Sequence, residues 1–431
     1  MTGKRARKLV EIFILILALY LANQRALVWG NLFPDTTNWY SSAWIGSALW
    51  VVVLAGLLWV LAQTASLRSY VQQWRANFLL VVFLYLALLS IVWSIYRAIC
   101  VLGASLVGAY IGLRYPLEGL LRILFWFGVV LVILSFELAL LVPVGGRMLW
   151  EPYNGAWRGI YWHRNHLGSL TALLSAVFLI RFVTGGQRRQ KTVLWDGLFY
   201  VLSAVLIVLS DSATGKIILL VTSASVLVAA AWCRVAHRLR RKHYAVMLIL
   251  IAIAGLIAFS NLNLILGLFN RDTSLTGRLP MWRFLLEEVV SRRPGLGYGF
   301  GAIWSSGAFR AQAQDAAGWG FPVLIADNGF LDILLHLGVT GLLVVFLLFA
   351  ALIVRAARFA LADRTVSAFF PLIFLEFALL SNTSFSLLIE SEEFVWLVFV
   401  ALLFLTHQKV SGRSVQERNS PSQYPDRNSR Q

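Results

Sequence analysis

Two short segments of the chain concentrate side chains that can bind or transfer charged groups. The first, Gly159-Ile-Tyr-Trp-His-Arg-Asn-His-Leu-Gly168, supplies His163, Arg164, Asn165 and His166, with Arg158 just before it. The second, Arg271-Asp-Thr-Ser-Leu-Thr-Gly-Arg278, supplies two more guanidinium groups. An arginine keeps its charge at any physiological pH and grips phosphate through two parallel N–H bonds. Several arginines gathered at one membrane face suit a pyrophosphate held just above a lipid tail. The plainer reading is that they snorkel, or pair with loop carboxylates such as Asp272. Asp327-Asn328 adds a carboxylate and an amide near the second segment. A carboxylate beside a cationic pocket can serve as a general base. An Asp or Asn at a helix start is also an ordinary cap, and both readings stand. Asp332 and His336 follow one and two helical turns later. Asp211 and Lys216 read as a structural pair or a turn. His163 and His166 fall short of a metal-ligand set, so neither a metal nor any other cofactor is expected.

Pro294-Gly-Leu-Gly-Tyr-Gly-Phe-Gly301 looks like a glycine-rich phosphate cradle, but it lacks the Lys-Ser/Thr of a P-loop and opens no βαβ unit. Its glycines read as allowing close backbone turns beside a substrate. Trp304, Trp319 and Phe321 suit sugar faces or an interface equally well. Glu137 and Glu376 fall mid-span, as buried hydrogen-bonding groups or cavity-lining ones.

The elements that must position these groups follow from composition. Of the 431 residues 59% are hydrophobic and 13% charged, and the mean hydropathy is +0.76. A soluble domain carries about 25% charged residues. A cytosolic enzyme, a secreted domain and a disordered chain are excluded, leaving an all-α polytopic membrane protein. About 12 spans are expected: Leu9–Gly30, Ser42–Ala62, Phe78–Trp93, Ala98–Leu113, Leu120–Val142, Leu167–Phe182, Val193–Ser210, Ile217–Trp232, Tyr244–Phe259, Phe330–Val354, Val366–Leu380 and Ser386–Leu405. Lys4, Arg5, Arg7 and Lys8 precede the first run, which reads as a retained span with a cytoplasmic N-terminus. Lys and Arg then crowd alternate connections, such as Arg181 with Arg188, Arg189 and Lys191, and Arg355 with Arg358 and Arg364. The net charge of +17 is therefore mostly a topology signal, with both termini inside, and no nucleic-acid partner is implied. Cys100 and Cys233 are expected near opposite faces, so no disulfide between them is expected.

Two segments on the other face break the charge rule: 143–166, and 261–328, the longest connection of all. A long connection rich in Trp, Phe and Gly reads as folded and functional. Within it a helix is expected between Pro280 and Pro294, with Trp282, Leu285, Leu286, Val289 and Val290 on one face and an Arg283–Glu287 pair on another. That helix either packs on the loop's own core or lies on the bilayer surface. The organisation is thus 1–260 with nine spans, 261–328 as the large loop, 329–408 with three spans, and 409–431 as a polar, disordered tail.

Several motifs fall in a familiar order: Leu88-Leu-Ser-Ile-Val-Trp-Ser94, Gly159 to Gly168, Leu209-Ser-Asp-Ser-Ala-Thr-Gly215, Leu275-Thr-Gly-Arg278 with Met281-Trp282, Gly297-Tyr-Gly-Phe-Gly301, and Asn328-Gly-Phe-Leu-Asp332 with Gly338 and Gly341. Together they resemble the O-antigen ligase/polymerase family, and most its ExoQ-like exopolysaccharide polymerase branch, over roughly Leu88 to Val345. The resemblance implies a GT-C-like, inverting, metal-independent glycosyltransferase of the bacterial inner membrane with a periplasmic active site. It implies an undecaprenyl-diphosphate-linked oligosaccharide donor and a glycan acceptor, with a chain-length regulator and export machinery as further partners. The acceptor is a second lipid-linked glycan in a polymerase or lipid A-core in a ligase. By this resemblance Arg164, or its neighbour Arg158, and Arg278 hold the diphosphate. Polymerases often have Lys-Asn where this chain has Arg164-Asn165, which keeps the charge. The family's His-Asn, whose His is the proposed activator of the acceptor hydroxyl, is here Asp327-Asn328. The expected catalytic set is Asp327, Arg278 and Arg164, and the substrate-binding set is Arg158, His163, Asn165, Arg271, Tyr298, Trp304 and Asn328. A flippase or transporter of the same lipid-linked glycan is the rival of another class, expected to show cationic groups along a mid-membrane path and inverted repeats.

Overall fold

A computed structural model describes residues 2–23, 39–63, 67–89, 95–149, 153–185, 190–235, 277–320, 323–383 and 393–410. The described residues form helices without strands: α1 (Thr2–Ala22), α2 (Trp39–Gln63), α3 (Leu67–Arg75), α4 (Phe78–Leu89), α5 (Ile95–Arg114), α6 (Leu117–Leu141), α7 (Arg164–Val183), α8 (Gln190–Leu209), α9 (Ala213–Val235), α10 (Arg278–Phe284), α11 (Gly307–Ala317), α12 (Gly329–Asp363), α13 (Phe370–Asn382) and α14 (Glu393–Val410). Five of them, α6, α7, α8, α9 and α12, are long and apolar enough to cross a membrane. Shorter apolar helices cover 48–63, 78–89, 99–114, 367–382 and 394–408. The expected span Tyr244–Phe259, Arg271 and the tail beyond 410 lie outside the described residues. Cys100 and Cys233 are free thiols.

Helix α7 is the axis of the half that matters here. It is buried from Arg164 to Ile180 and packs between α8 and α9, with α6 and α13 beside it. Asn165, His166, Ser169, Thr171 and Ser175 are all buried on it. A helix facing lipid could not carry that many polar groups, but one enclosed by other helices can. The apolar side chains left uncovered lie on its neighbours, such as Trp126 and Val130 of α6 and Leu194 and Val201 of α8. Where α7 crosses α9, small residues let the backbones touch: a Cβ on Gly215 would stand 2.8 Å from the Gly168 Cα.

The expected span Phe330–Val354 is not one straight rod. Helix α12 breaks at Gly338, whose φ of 64° and ψ of −165° leave the helical region. The break frees backbone groups, and the Pro294–Gly299 segment fills them. Tyr298 and Gly299 donate their N–H groups to the Leu335 and His336 carbonyls at 2.9 Å. Val339 donates back to the Pro294 carbonyl at 2.8 Å. A Cβ on Gly297 would stand 2.6 Å from the Leu335 carbonyl oxygen, so only glycine permits this splice. The glycine run that resembles a phosphate cradle thus cradles a helix.

The helix expected before Pro294 begins as α10, widens into a π turn over Leu285–Val289 and tightens into a 3₁₀ turn over Val290–Arg292. Met281, Leu285 and Val289 are buried in a second hydrophobic core with Trp304, Val323 and Ala326. Leu331 and Leu335 of α12 belong to that same core. The Arg283–Glu287 pair forms at 3.2 Å on the exposed side, where Leu286 is exposed as well.

Candidate active site

The segment between α6 and α7 folds back on itself. A helical turn, Pro143–Gly146, is followed by an Arg147–Trp157 backbone bridge. Arg158 and Gly159 both donate their N–H groups to the Gly146 carbonyl at 2.9 Å. The Arg158 side chain is buried, donating to the carbonyls of Gly145 at 3.1 Å and Val144 at 3.0 Å. Burial pulls its pKa below the ordinary guanidinium range. It is therefore anchored in the loop while adding positive field to what lies next to it.

His163 caps α7. Its Nδ1 accepts from the Asn165 N–H at 3.2 Å, which puts any ring proton of the neutral form on Nε2. Its pKa is pulled down to about 3, by burial first and then by the charges of Arg164, Arg278 and Arg158 in that order. This imidazole is neutral at physiological pH, and Arg158 and Arg164 from its own segment act on it together with the distant Arg278.

Arg164 is buried to 2% exposure. Its guanidinium donates to the Asp211 backbone carbonyl and, at 3.0 Å, to the Asp211 carboxylate, and lies 4.1 Å over the Tyr153 ring. Asp211 is 68% exposed and also accepts from Lys216 at 2.8 Å. Burial would raise its carboxyl, but the hydrogen bond and charge of Lys216, with Arg164 behind, outweigh this and shift it downward. Asn165 accepts from the Ser212 hydroxyl at 3.2 Å, tying the head of α7 to the α8–α9 turn.

Arg278 opens α10, and its Nε and Nη2 both reach one oxygen of Asp327, at 3.1 and 3.0 Å. Neither side chain is fully buried, at 18% and 15% exposure. Asp327 is held in place from both sides. The Ala326 N–H donates to Asp332 at 3.1 Å, and the Ala326 carbonyl accepts from the Trp282 indole at 2.7 Å. The helix cap is Asn328, whose side chain accepts from Phe330 and Leu331 at 3.1 and 3.2 Å. Asp327 is therefore left to face Arg278. Its φ of 51° and the 50° of Asp211 are both left-handed, a conformation that non-glycine residues rarely adopt. Such strain gathers at functional sites, and here it aims a carboxylate at each arginine.

The structure thus brings Arg158, His163, Arg164 and Arg278 into one electrostatic neighbourhood, flanked by Asn165, Asp327 and Asn328. Tyr298 and Trp304 sit deeper in the loop. The Tyr298 hydroxyl donates to the Val289 carbonyl at 2.9 Å, and the buried Trp304 indole donates to Asp332 at 2.8 Å. Glu376 accepts from Ser225 at 3.0 Å, joining α13 to α9, and Glu137 lines an apolar groove beside α6. Two contributors escaped the sequence reading. Tyr153 had no signal at all, and Asp211 was legible only as the partner of Lys216, although it lies within a recognised motif.

The helices define a polytopic membrane protein with a folded loop packed against its spans. Residues 198–346 match the family model described as O-antigen ligase, which supports an O-antigen ligase/polymerase-like family and an enzyme of that membrane-bound type. The matched stretch holds Asp211, Lys216, Arg278, Asp327 and Asn328, while Arg164 lies before it. No curated protein matches the chain.

Proposed function

We propose that this protein is an inverting, metal-independent glycosyltransferase that polymerises glycan repeat units carried on undecaprenyl diphosphate, at the periplasmic face of a bacterial inner membrane. One observation carries this reading: Arg164 and Arg278, from helices more than a hundred residues apart, act on the same imidazole, each held by a carboxylate on a strained backbone. A diphosphate is the ligand that two such guanidiniums suit. It takes over the contacts that Asp211 and Asp327 hold in the free protein. Arg278 then stays on the phosphate, and Asp327 is released to accept the proton of the acceptor hydroxyl. The acceptor oxygen bonds to the anomeric carbon from the face opposite the leaving group. The bond from that carbon to the phosphate oxygen breaks, and its electron pair leaves with the lipid diphosphate. Fixed guanidiniums stabilise the charge as it develops, without reorganisation.

The test is the purified protein with an undecaprenyl-diphosphate-linked oligosaccharide alone. Elongated lipid-linked glycan is the expected product. Transfer only when lipid A-core is supplied identifies a ligase instead. Movement of intact lipid-linked glycan across a vesicle membrane, with no new glycosidic bond, overturns the enzymatic reading in favour of a flippase.

A further inference from the structure

The folded loop contains a cavity of about 750 Å³ between α10, the 3₁₀ turn at Ile303 and α11. None of the proposed transfer chemistry uses it. Its walls include Phe284, Tyr298 and Phe309, with Arg292, Arg293 and Gln312 at the edge. Phe309 packs 5.0 Å from Trp304 and 6.5 Å from Phe284, so the aromatic floor is braced from beneath by the loop's own core. The Arg293 guanidinium lies 5.3 Å over the Tyr298 ring. Glu288 is also at the wall but is engaged by Arg292 at 3.1 Å. That leaves Arg293 as the cation in reach of a ligand lying on Tyr298.

Flat apolar faces beside hydrogen-bonding side chains and a stacked guanidinium suit a sugar chain that bears negative charge. Aromatic rings cover the C–H face of a pyranose, Gln312 and nearby serines meet its hydroxyls, and Arg293 takes a carboxylate in two parallel bonds. The location fits as well. Arg278 and Phe284 lie at opposite ends of α10, six residues or about 9 Å apart at the rise of an α-helix.

We propose that this cavity is a second saccharide site, which holds an acidic stretch of glycan on the loop while the reacting sugar occupies the Arg164–Arg278 centre. The identity of the ligand as glycan rests on the glycosyl-transfer reading, but binding is measured without any transfer. The probe is an oligogalacturonate, added to the purified full chain in detergent and followed by calorimetry and saturation-transfer NMR, with a neutral maltooligosaccharide of equal length and inorganic phosphate in parallel. Oligogalacturonate is expected to bind, and the neutral sugar and phosphate are expected to bind at least about tenfold more weakly. Arg293→Ala and Phe309→Ala each reduce acidic-sugar binding by about tenfold, and Arg293→Lys recovers part of it. Gln312→Glu, on the exposed face of α11 where folding is not at stake, weakens the acidic sugar and spares the neutral one. Equal binding of all three probes overturns the proposal. So does acidic-sugar binding that ignores both Arg293→Ala and Gln312→Glu. Binding without transfer activity would sink the proposed reaction and leave the site standing. Transfer without binding would do the reverse.

Discussion

The two ends of α7 carry the same three-part arrangement with opposite consequences. At one end Arg164 pairs with Asp211 at 3.0 Å and stacks 4.1 Å over Tyr153. At the other Arg181 pairs with Asp196 at 2.9 Å and stacks 4.1 Å over Phe125. The carboxylates decide the difference. Asp196 has no exposed surface, so its pair is closed within the bundle and clamps α7 to α8. Asp211 is 68% exposed, shared with Lys216 and strained, and in the proposed reaction its pair opens to the incoming diphosphate. A buried arginine is thus not evidence of a binding site by itself. What marks one is a partner that can be displaced.

The largest expected effect lies at the closed end. Arg181→Ala leaves Asp196 buried without its cation, which costs about 3–5 kcal/mol. We expect loss of folded protein from membranes, measured by immunoblot and by thermal unfolding of whatever remains. At the open end the damage falls on chemistry. Arg278→Ala and Arg164→Ala lower the transfer rate by about 10²–10³-fold each, with Arg278→Ala leaving membrane abundance at the wild-type level. Unchanged polymer in a well-expressed Arg278→Ala strain would break the comparison, because both ends would then be structural.

Asp327 sharpens it further. Asn328 already caps α12, so Asp327→Asn preserves the cap and the side-chain shape and removes only the charge and the proton acceptor. We expect a crippled enzyme, about 10²-fold slower, with Asp327→His partly active because imidazole can also take a proton. Full activity of Asp327→Asn, measured as turnover of lipid-linked oligosaccharide, would reduce Asp327 to a counter-ion of Arg278.

The all-helical membrane architecture was legible because apolar runs of span length are unambiguous in a chain this hydrophobic. The arginines of the open end were legible too, since cations outside the topology pattern invite explanation. The break in α12 was not. Phe330–Val354 reads as one continuous span, and nothing in its hydropathy separates Leu335 from Val345. Only backbone contact with Gly295 to Gly299 reveals the splice, and backbone geometry leaves little trace in composition. Tyr153 escaped for a similar reason, because it matters through its position over Arg164 rather than through its type. Trp304 and Tyr298 show the converse. Their types suit sugar stacking, yet one indole and one hydroxyl are hydrogen-bonded inside the loop, and only the Tyr298 ring lines the cavity.

The smallest effect concerns the histidine on which the charges of all three arginines act. His163 ionises near pH 3 in the folded chain and near 6.5 once unfolded. Above about pH 6.5 the ring is neutral in both states and contributes nothing to pH dependence. As the pH falls from about 6.5 toward 3, the unfolded chain takes up the proton and the folded one does not, so the folded state loses stability across that window. His163→Asn keeps a side chain able to cap α7 and removes the titrating group. We expect its thermal stability in detergent to match wild type near pH 7.5 and to fall less steeply between about pH 6.5 and 4.5, with transfer activity at neutral pH reduced by less than about tenfold. An unchanged acid slope would mean that the ring is neither buried in the folded chain nor held in the combined field of Arg164, Arg278 and Arg158.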